Sequence, residues 1–263
     1  MKNTRTVQHK GLSTMVSVDL RRLFTRPLLY IILGSCFVMP ILILVMTTMM
    51  DGTVHINPQT KQESVIEGFK NAWQIIGSYS DAPMAMDMTA MCNIGLLFFL
   101  TAVPVCLFVS EDFRSGFCKN LFTVRAKKGA YVASKTLVLW LTGALMLLCF
   151  FVGAVLGGMI SGLPMDLGRA GVTGLVMSMA AKMLLMGVFV GVFLVFAVLA
   201  KEKAWLSMLL SFGCGTFLFM MIPLLTPLDA GIVHVIGCLA GAALAALGLG
   251  AVSTQILRKR DIL

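Results

Sequence analysis

Long uncharged stretches, separated by short charged segments, dominate the pattern of this chain. Six intervals lack Asp, Glu, Lys and Arg, namely residues 27–50, 88–110, 136–165, 183–200, 204–228 and 230–257. About 20 residues of helix, each rising ~1.5 Å, cross the ~30 Å hydrocarbon core of a bilayer. Each interval is therefore long enough for one crossing and too short for two. The pattern predicts an all-α polytopic membrane protein with six transmembrane helices.

The segment before the first interval has the spacing of an amphipathic helix. Apolar residues recur every three or four positions at Leu12, Val16, Leu20 and Leu23. Basic residues project from other faces at Arg21, Arg22 and Arg26. Such a helix lies on a membrane surface with its bases near the headgroups. We expect residues 1–26 to form an interfacial helix.

The loop between the first two intervals, residues 51–87, holds two further patterns. A second interfacial helix is predicted from the spacing of Val65, Phe69, Trp73 and Ile76. Thioethers then alternate at Met84, Met86 and Met88. Soft ligands of this kind suit Cu(I), so these residues are a weak candidate metal site. The alternative is adaptable packing of methionine against lipid or an apolar substrate.

Composition agrees with the membrane assignment. Charged residues make up 13 % of the chain, about half the ~25 % of a soluble domain. Glycines recur four apart at Gly153 and Gly157, Gly158 and Gly162, Gly187 and Gly191, and Gly237 and Gly241. This spacing lets transmembrane helices approach closely, so a packed bundle is expected.

The distribution of cations predicts the orientation. Seventeen of the 21 Lys and Arg fall in the N-terminal segment, loops two and four, and the C-terminal tail. Cytoplasmic loops carry such an excess, so both termini are expected inside. The net charge of +9 then reflects topology and contact with anionic lipid, and no nucleic-acid partner is expected.

Lys182 belongs to neither side of this distribution. It precedes the fourth interval and is expected near the outer end of that span. One interpretation is a contact with substrate, an ion or the outer leaflet, because ionisable groups inside membranes are costly. The other is a lysine that snorkels to the interface.

Cytoplasmic loop two carries a recognisable motif between residues 111 and 135. An acidic pair, Glu111 and Asp112, is followed by Gly116, by a short segment containing Leu121, by a basic turn from Arg125 to Lys128, and by Lys135. This order resembles the permeases of ABC-2 (type II) exporters, as do the six predicted spans, the amphipathic N-terminal helix and the closing sequence from Arg258 to Leu263.

The resemblance implies a single permease domain over residues 1–263, with loop two as a coupling segment. It implies contact with the ATPase through Glu111, Asp112, Arg114, Gly116, Leu121 and Arg125. The implied partners are two copies of an ABC ATP-binding subunit, which bind ATP and Mg, and a second copy of this chain or a paralogous permease. The implied location is a prokaryotic cell membrane, and the implied activity is export of a hydrophobic or amphipathic substrate such as a peptide or drug.

Catalytic chemistry of its own is not expected from this chain. It has no G-x-x-x-x-G-K-[ST] phosphate loop and no H-E-x-x-H. His234 stands alone near the start of the sixth interval and is interpreted as structural. No cofactor is therefore expected in this chain. Two alternatives stay open, a non-transporting membrane protein such as an immunity or scaffold component, and an ion-coupled secondary transporter.

Overall fold

A computed structural model describes residues 3–56, 63–65, 68–81, 92–123 and 127–259. Within these ranges the chain is helical apart from one short antiparallel pair of strands. The helices are α1 Asn3–Phe24, α2 Pro27–Met50, α3 Leu96–Leu100, α4 Ala102–Arg114, α5 Phe117–Thr123, α6 Lys128–Ser161, α7 Gly171–Ala200, α8 Ala204–Phe219, α9 Ile222–Leu225 and α10 Ile232–Lys259. The strands are β1 Val54–Ile56 and β2 Glu63–Val65, paired with Val54 opposite Val65.

Five helices in the described part of the chain are long and apolar enough to cross a membrane. They are α2, the continuous helix Leu96–Arg114 formed by α3 and α4, α6, α7 and α10. The fifth predicted interval instead contains α8, whose 16 residues span about 24 Å. A turn then leads to the four-residue helix α9, and Pro223 lies in its first turn. The N–H groups of a first turn have no partner within the helix, so a proline is tolerated there. The described residues thus contain five candidate spans, and the sixth stays a prediction.

Two spans are longer than the uncharged intervals that predicted them. Helix α6 begins at Lys128 and α7 at Gly171, whereas the intervals began at residues 136 and 183. The additional turns contain Lys135 and Lys182, and both side chains are buried. Charged residues on the inward face therefore continue the helices instead of ending them.

The second, third and fourth spans form the centre of the bundle. In the segment Leu96–Arg114, 67 % of the most apolar window is buried, against 6 % in α10. Aromatic side chains fill the centre, with the rings of Phe98 and Phe189 4.8 Å apart and Phe193 packed edge-on against Phe189. Helices α2 and α10 lie at the periphery, so most of their surface is available to lipid or to a partner.

Glycines bring α2 against α6, as the four-residue spacing predicts. A Cβ atom on Gly153 would collide with the carbonyl oxygen of Phe37, and one on Gly157 would lie 2.9 Å from Ile41 Cα. In contrast, nothing lies within 4 Å of such an atom on Gly237 or Gly241. The spacing therefore marks a tight helix contact at α6 and an open surface on α10.

The predicted interfacial helix between residues 65 and 76 is wrong. Val65 belongs to strand β2, and the only helical turn described in this loop is a 3₁₀ turn at Ala72–Ile75, which is capped by Asn71. Trp73 Nε1 donates a hydrogen bond of 3.0 Å to the carbonyl oxygen of Met165. The loop is thus fastened to the connection between α6 and α7. The candidate copper ligands Met84, Met86 and Met88 lie outside the described residues.

Candidate functional site at loop two

Loop two contains a short helix set off by a glycine. Helix α4 ends at Arg114, and Gly116 has a φ of +71°, a conformation that residues with a side chain rarely adopt. Helix α5, Phe117–Thr123, follows at once. A Cβ atom on Gly116 would meet nothing within 4 Å. The glycine is therefore needed for the turn, and no other backbone of the described chain approaches it closely.

Four charged side chains meet beside this turn, in what we call the charge cluster: Asp19, Arg22, Asp112 and Lys135. Lys135 Nζ lies 2.7 Å from a carboxylate oxygen of both Asp19 and Asp112. Arg22 Nη2 lies 2.8 Å from the other Asp112 oxygen, close enough for an ion pair although not aligned as a hydrogen bond. Two acids face two bases, so the formal charges cancel.

Neutral groups complete the charge cluster. The Tyr131 hydroxyl donates to Asp112 Oδ2 at 3.1 Å, and the Ser134 hydroxyl donates to Asp19 Oδ2 at 2.7 Å. Aromatic faces cover the cations, with Lys135 Nζ 3.9 Å from the centre of Phe108 and the Arg22 guanidinium 4.1 Å from that of Phe117. Buried charges need such partners to offset their lost hydration.

The charge cluster joins parts of the chain that are far apart in sequence. Asp19 and Arg22 come from α1, Asp112 from the end of the second span, and Lys135 from the first turns of the third span. Phe117, which stacks on Arg22, opens helix α5. The N-terminal helix, the short loop helix and the ends of two spans are thus held together.

One expectation about charged residues is corrected here. Arg22 and Arg26 do not project to headgroups, since Arg22 reaches Asp112 and Arg26 pairs with Glu111. Asp112, which the resemblance implies as an ATPase contact, is buried, with a side chain that is 0 % exposed. Both acids of the motif are therefore used inside the chain. Arg21 alone of the three arginines is exposed, and the apolar stripe of α1, ending at buried Leu23, faces inward.

Helix α5 has an inner and an outer side. Leu121 packs against the core, and Cys118 is 1 % exposed. Burial raises the pKa of the Cys118 thiol to about 11, so the thiol stays protonated near neutral pH. Arg114, Lys119 and Asn120 are exposed. The surface that this loop presents is therefore basic, while Arg125 lies outside the described residues.

Asp19, Tyr131 and Ser134 are the members of the site that sequence reasoning missed. Asp19 follows Val16 by three residues and precedes Leu23 by four, which is the period of the apolar face of α1. It is also the only acid within residues 1–26. A lone acid on the apolar face of a basic helix was the available signal.

Lys182 occupies a different buried position, between α7 and the end of α9. Its side chain is 1 % exposed, and Nζ donates to Ser178 Oγ at 2.8 Å and to the carbonyl oxygen of Thr226 at 2.6 Å. It does not snorkel, because it fastens α7 to the end of α9. This burial gives no support to a contact with substrate or outer leaflet. His234, near the start of α10, accepts a hydrogen bond from the backbone N–H of Gly231.

Comparison with models of known protein families gives a match over most of the chain. The family described as ABC-2 family transporter protein matches residues 20–219, which include most of the helices and all of loop two. No curated protein and no solved structure matches the chain significantly.

Proposed function

The chain belongs to the ABC-2 transporter family, and on that premise we propose that it is the permease subunit of an ATP-driven exporter. The family makes it a membrane component of a transporter and not itself catalytic. A separate ATP-binding subunit would hold ATP and Mg and supply the energy. The proposed cargo is hydrophobic or amphipathic, such as a peptide or drug.

The charge cluster is the observation that carries this proposal. A force applied to α5 would reach α1 through the Phe117 ring stacked on Arg22. It would then reach the ends of the second and third spans through the buried ion pairs of Asp112 with Arg22 and Lys135. Packed helices move as stiff bodies between discrete arrangements. Loop two can therefore transmit a movement of α5, imposed by a cytoplasmic partner, to the spans, and in this sense it acts as a lever. A loop that only retained positive charge would need no such connection.

The interior of the bundle favours a transport path between two chains. Phe98, Phe189 and Phe193 are at most 1 % exposed and fill the centre, so the described chain offers no channel there. A substrate would then pass along an interface with a second permease. We propose an assembly of two permeases with two ATP-binding subunits.

The proposed topology has six crossings with both termini in the cytoplasm. Helices α8 and α9 together would make the fifth crossing, with the turn at Met220 and Met221 close to the outer surface. The 17-to-3 split of Lys and Arg supports this orientation. Loop two, with α5, would then face the cytoplasm.

Labelling in intact cells tests this orientation. Cysteines introduced at Asp166 and at Lys119, both exposed, in a background without native cysteines should differ in reaction with an impermeant maleimide. Asp166→Cys should label in intact cells, and Lys119→Cys only after the membrane is opened. The reverse result would contradict the orientation and the proposed lever.

Charge reversal on α5 tests the coupling. Lys119→Glu should lower ATPase binding and substrate-stimulated ATP hydrolysis about tenfold. The reason is that like charges facing each other across an interface typically cost one or more kcal/mol of binding free energy. The measurement is ATPase activity and pull-down after co-expression with the ATP-binding subunit encoded nearest to this chain. Expression and insertion should not change, because Lys119 is exposed.

Lys203→Glu is the matched control, because Lys203 is also an exposed lysine of a proposed cytoplasmic loop. It should leave both readouts near the wild-type values. Equal effects of the two substitutions would mean that only overall charge matters. No change with either would favour a non-transporting membrane protein.

A further inference from the structure

A groove lies on the outside of the bundle between α6 and α10. Its volume is about 770 Å³, within the ~300–1,000 Å³ typical of ligand sites. Several of its lining residues are exposed, among them Ala133, Leu137, Ala246 and Leu247. Because both helices are long enough to cross a membrane, the groove opens toward lipid.

Many of the residues that line the groove are small, and Trp140 is the largest of them. Ala133, Gly187, Ala242, Ala246 and Gly250 all line it. The wall includes Trp140, whose indole N–H donates a hydrogen bond of 2.8 Å to the carbonyl oxygen of Met183. This bond satisfies the only polar atom of the ring and fixes its position, so an apolar surface faces the groove.

One end of the groove is polar and basic. Thr254, Gln255 and Arg258 line this end, and Arg258 is the only charged residue among those that line the groove. Lys128 donates to the carbonyl oxygen of Leu257 at 2.7 Å, which places a second cation beside it. From Ala242 to Arg258 is 16 residues of α10, or about 24 Å. The apolar part, from Ala242 to Ala251, covers about 14 Å of this length, which is close to one leaflet of the ~30 Å core.

The width of the groove decides which occupant fits. A Cβ atom on Gly129 would lie 3.9 Å from Thr254, and one on Gly250 would lie 4.0 Å from Val132. Helices α6 and α10 are therefore nearly in contact at the bottom of the groove, near its basic end. A transmembrane helix measures about 10–12 Å across with its side chains, whereas an extended hydrocarbon chain is much narrower. Spread over the ~24 Å between Ala242 and Arg258, a volume of about 770 Å³ gives a cross-section of roughly 30 Å², far less than that of such a helix, so the groove suits an extended chain.

We propose that this groove binds an anionic phospholipid, with an acyl chain along the small residues and the phosphate at Arg258. The assignment to the cytoplasmic leaflet rests on the proposed function and its orientation. Binding itself rests only on the shape of the groove and on its charge at one end. The site combines an apolar groove, which can hold an acyl chain, with a cation, which can pair with the phosphate of an anionic lipid.

Fluorescence of Trp140 can report the lipid. A variant with Trp73→Phe and Trp205→Phe retains Trp140 alone, and the purified chain is placed in phosphatidylcholine vesicles. A minor fraction of the lipid is then replaced by brominated phosphatidylglycerol or by brominated phosphatidylcholine, which quench nearby tryptophan. We expect about a fivefold preference for the anionic quencher, the usual effect of one cation near such lipids.

Matched substitutions separate the site from the general surface charge. Arg258→Gln should remove most of the preference and leave only the contribution of Lys128, whose amine is held by the carbonyl oxygen of Leu257. Lys259→Gln should retain the preference, because Lys259 is exposed but does not line the groove. Ala246→Phe should fill the groove and lower quenching by either lipid. Ala243→Phe, on an exposed part of the same helix outside the groove, should not.

Three results would overturn the proposal. One is equal quenching by both lipids in the parent protein. Another is an equal effect of the Arg258 and Lys259 substitutions. The third is disulfide crosslinking of Ala246→Cys to the same residue of a second copy, which would make the groove an interface between permeases. None of these measurements uses an ATPase, so their failure leaves the coupling experiments to be decided separately.

Discussion

Replacing Lys135 with Met should destabilise the folded chain by about 3 to 5 kcal/mol. The substitution leaves Asp19 and Asp112 buried with Arg22 as their only cation in the charge cluster, and unpaired buried charge has a cost of this size. The loss should appear as a lower midpoint of thermal unfolding, and as reduced recovery of monodisperse protein, in mild detergent.

Two further variants test the cause. Lys119→Met removes an exposed lysine from the same loop and should change stability by less than about 0.5 kcal/mol. Adding Asp112→Asn to Lys135→Met should recover part of the loss, because one acid then faces one base and the amide oxygen can still accept from Tyr131. If Lys135→Met unfolded at the wild-type midpoint, the ion pairs would not stabilise the chain.

Replacing Gly153 with Leu should separate α2 from α6. A side chain at this position collides with the backbone of Phe37 and lies within 2.7 Å of Pro40 Cγ. Backbone cannot move aside as a flexible side chain can, so the cost should reach about 3 kcal/mol or more. The unfolding midpoint and the yield of folded protein measure it, with Gly153→Ala expected to show a smaller loss.

Gly34→Leu is the control, because Gly34 lies on the same helix α2 but nothing lies within 4 Å of a Cβ atom there. It should behave much like the wild type. If the two leucine variants had equal stability, then α2 would pack differently from the arrangement described here.

The apolar pattern predicted the spans better than it predicted the loops. Helix α2 coincides with the first uncharged interval, from Pro27 to Met50, because every turn of it is apolar and Pro27 marks its start. The helix predicted in the loop after α2 is absent, because apolar residues spaced three and four apart do not form a helix where contacts with another part of the backbone hold the chain in a different conformation. Gly68 lies so close to α2 that a Cβ atom on it would be 2.5 Å from the carbonyl oxygen of Thr47. Its N–H also bonds to Asp51 Oδ1 at 2.8 Å.

The candidate site was located by sequence but not assembled by it. Its acidic pair, glycine and basic residues indicated which loop to examine. The helical period could place Asp19, Asp112 and Lys135 on inward faces, since each falls among buried neighbours at three- or four-residue spacing. Which acid pairs with which base depends on contacts between residues up to 116 positions apart. No local pattern contains that information.

The charge cluster also constrains the order in which the chain can complete its fold during synthesis. Arg22 and Asp19 leave the ribosome first, and Lys135 follows Arg22 by 113 residues. At ~5–20 residues per second, this delay is roughly 6 to 23 s. During it, Asp19 has Arg22 three residues away on its own helix but lacks Lys135, its closest cation in the finished fold. A chain arrested before residue 135 would therefore lack the contact that fastens α1 to the third span.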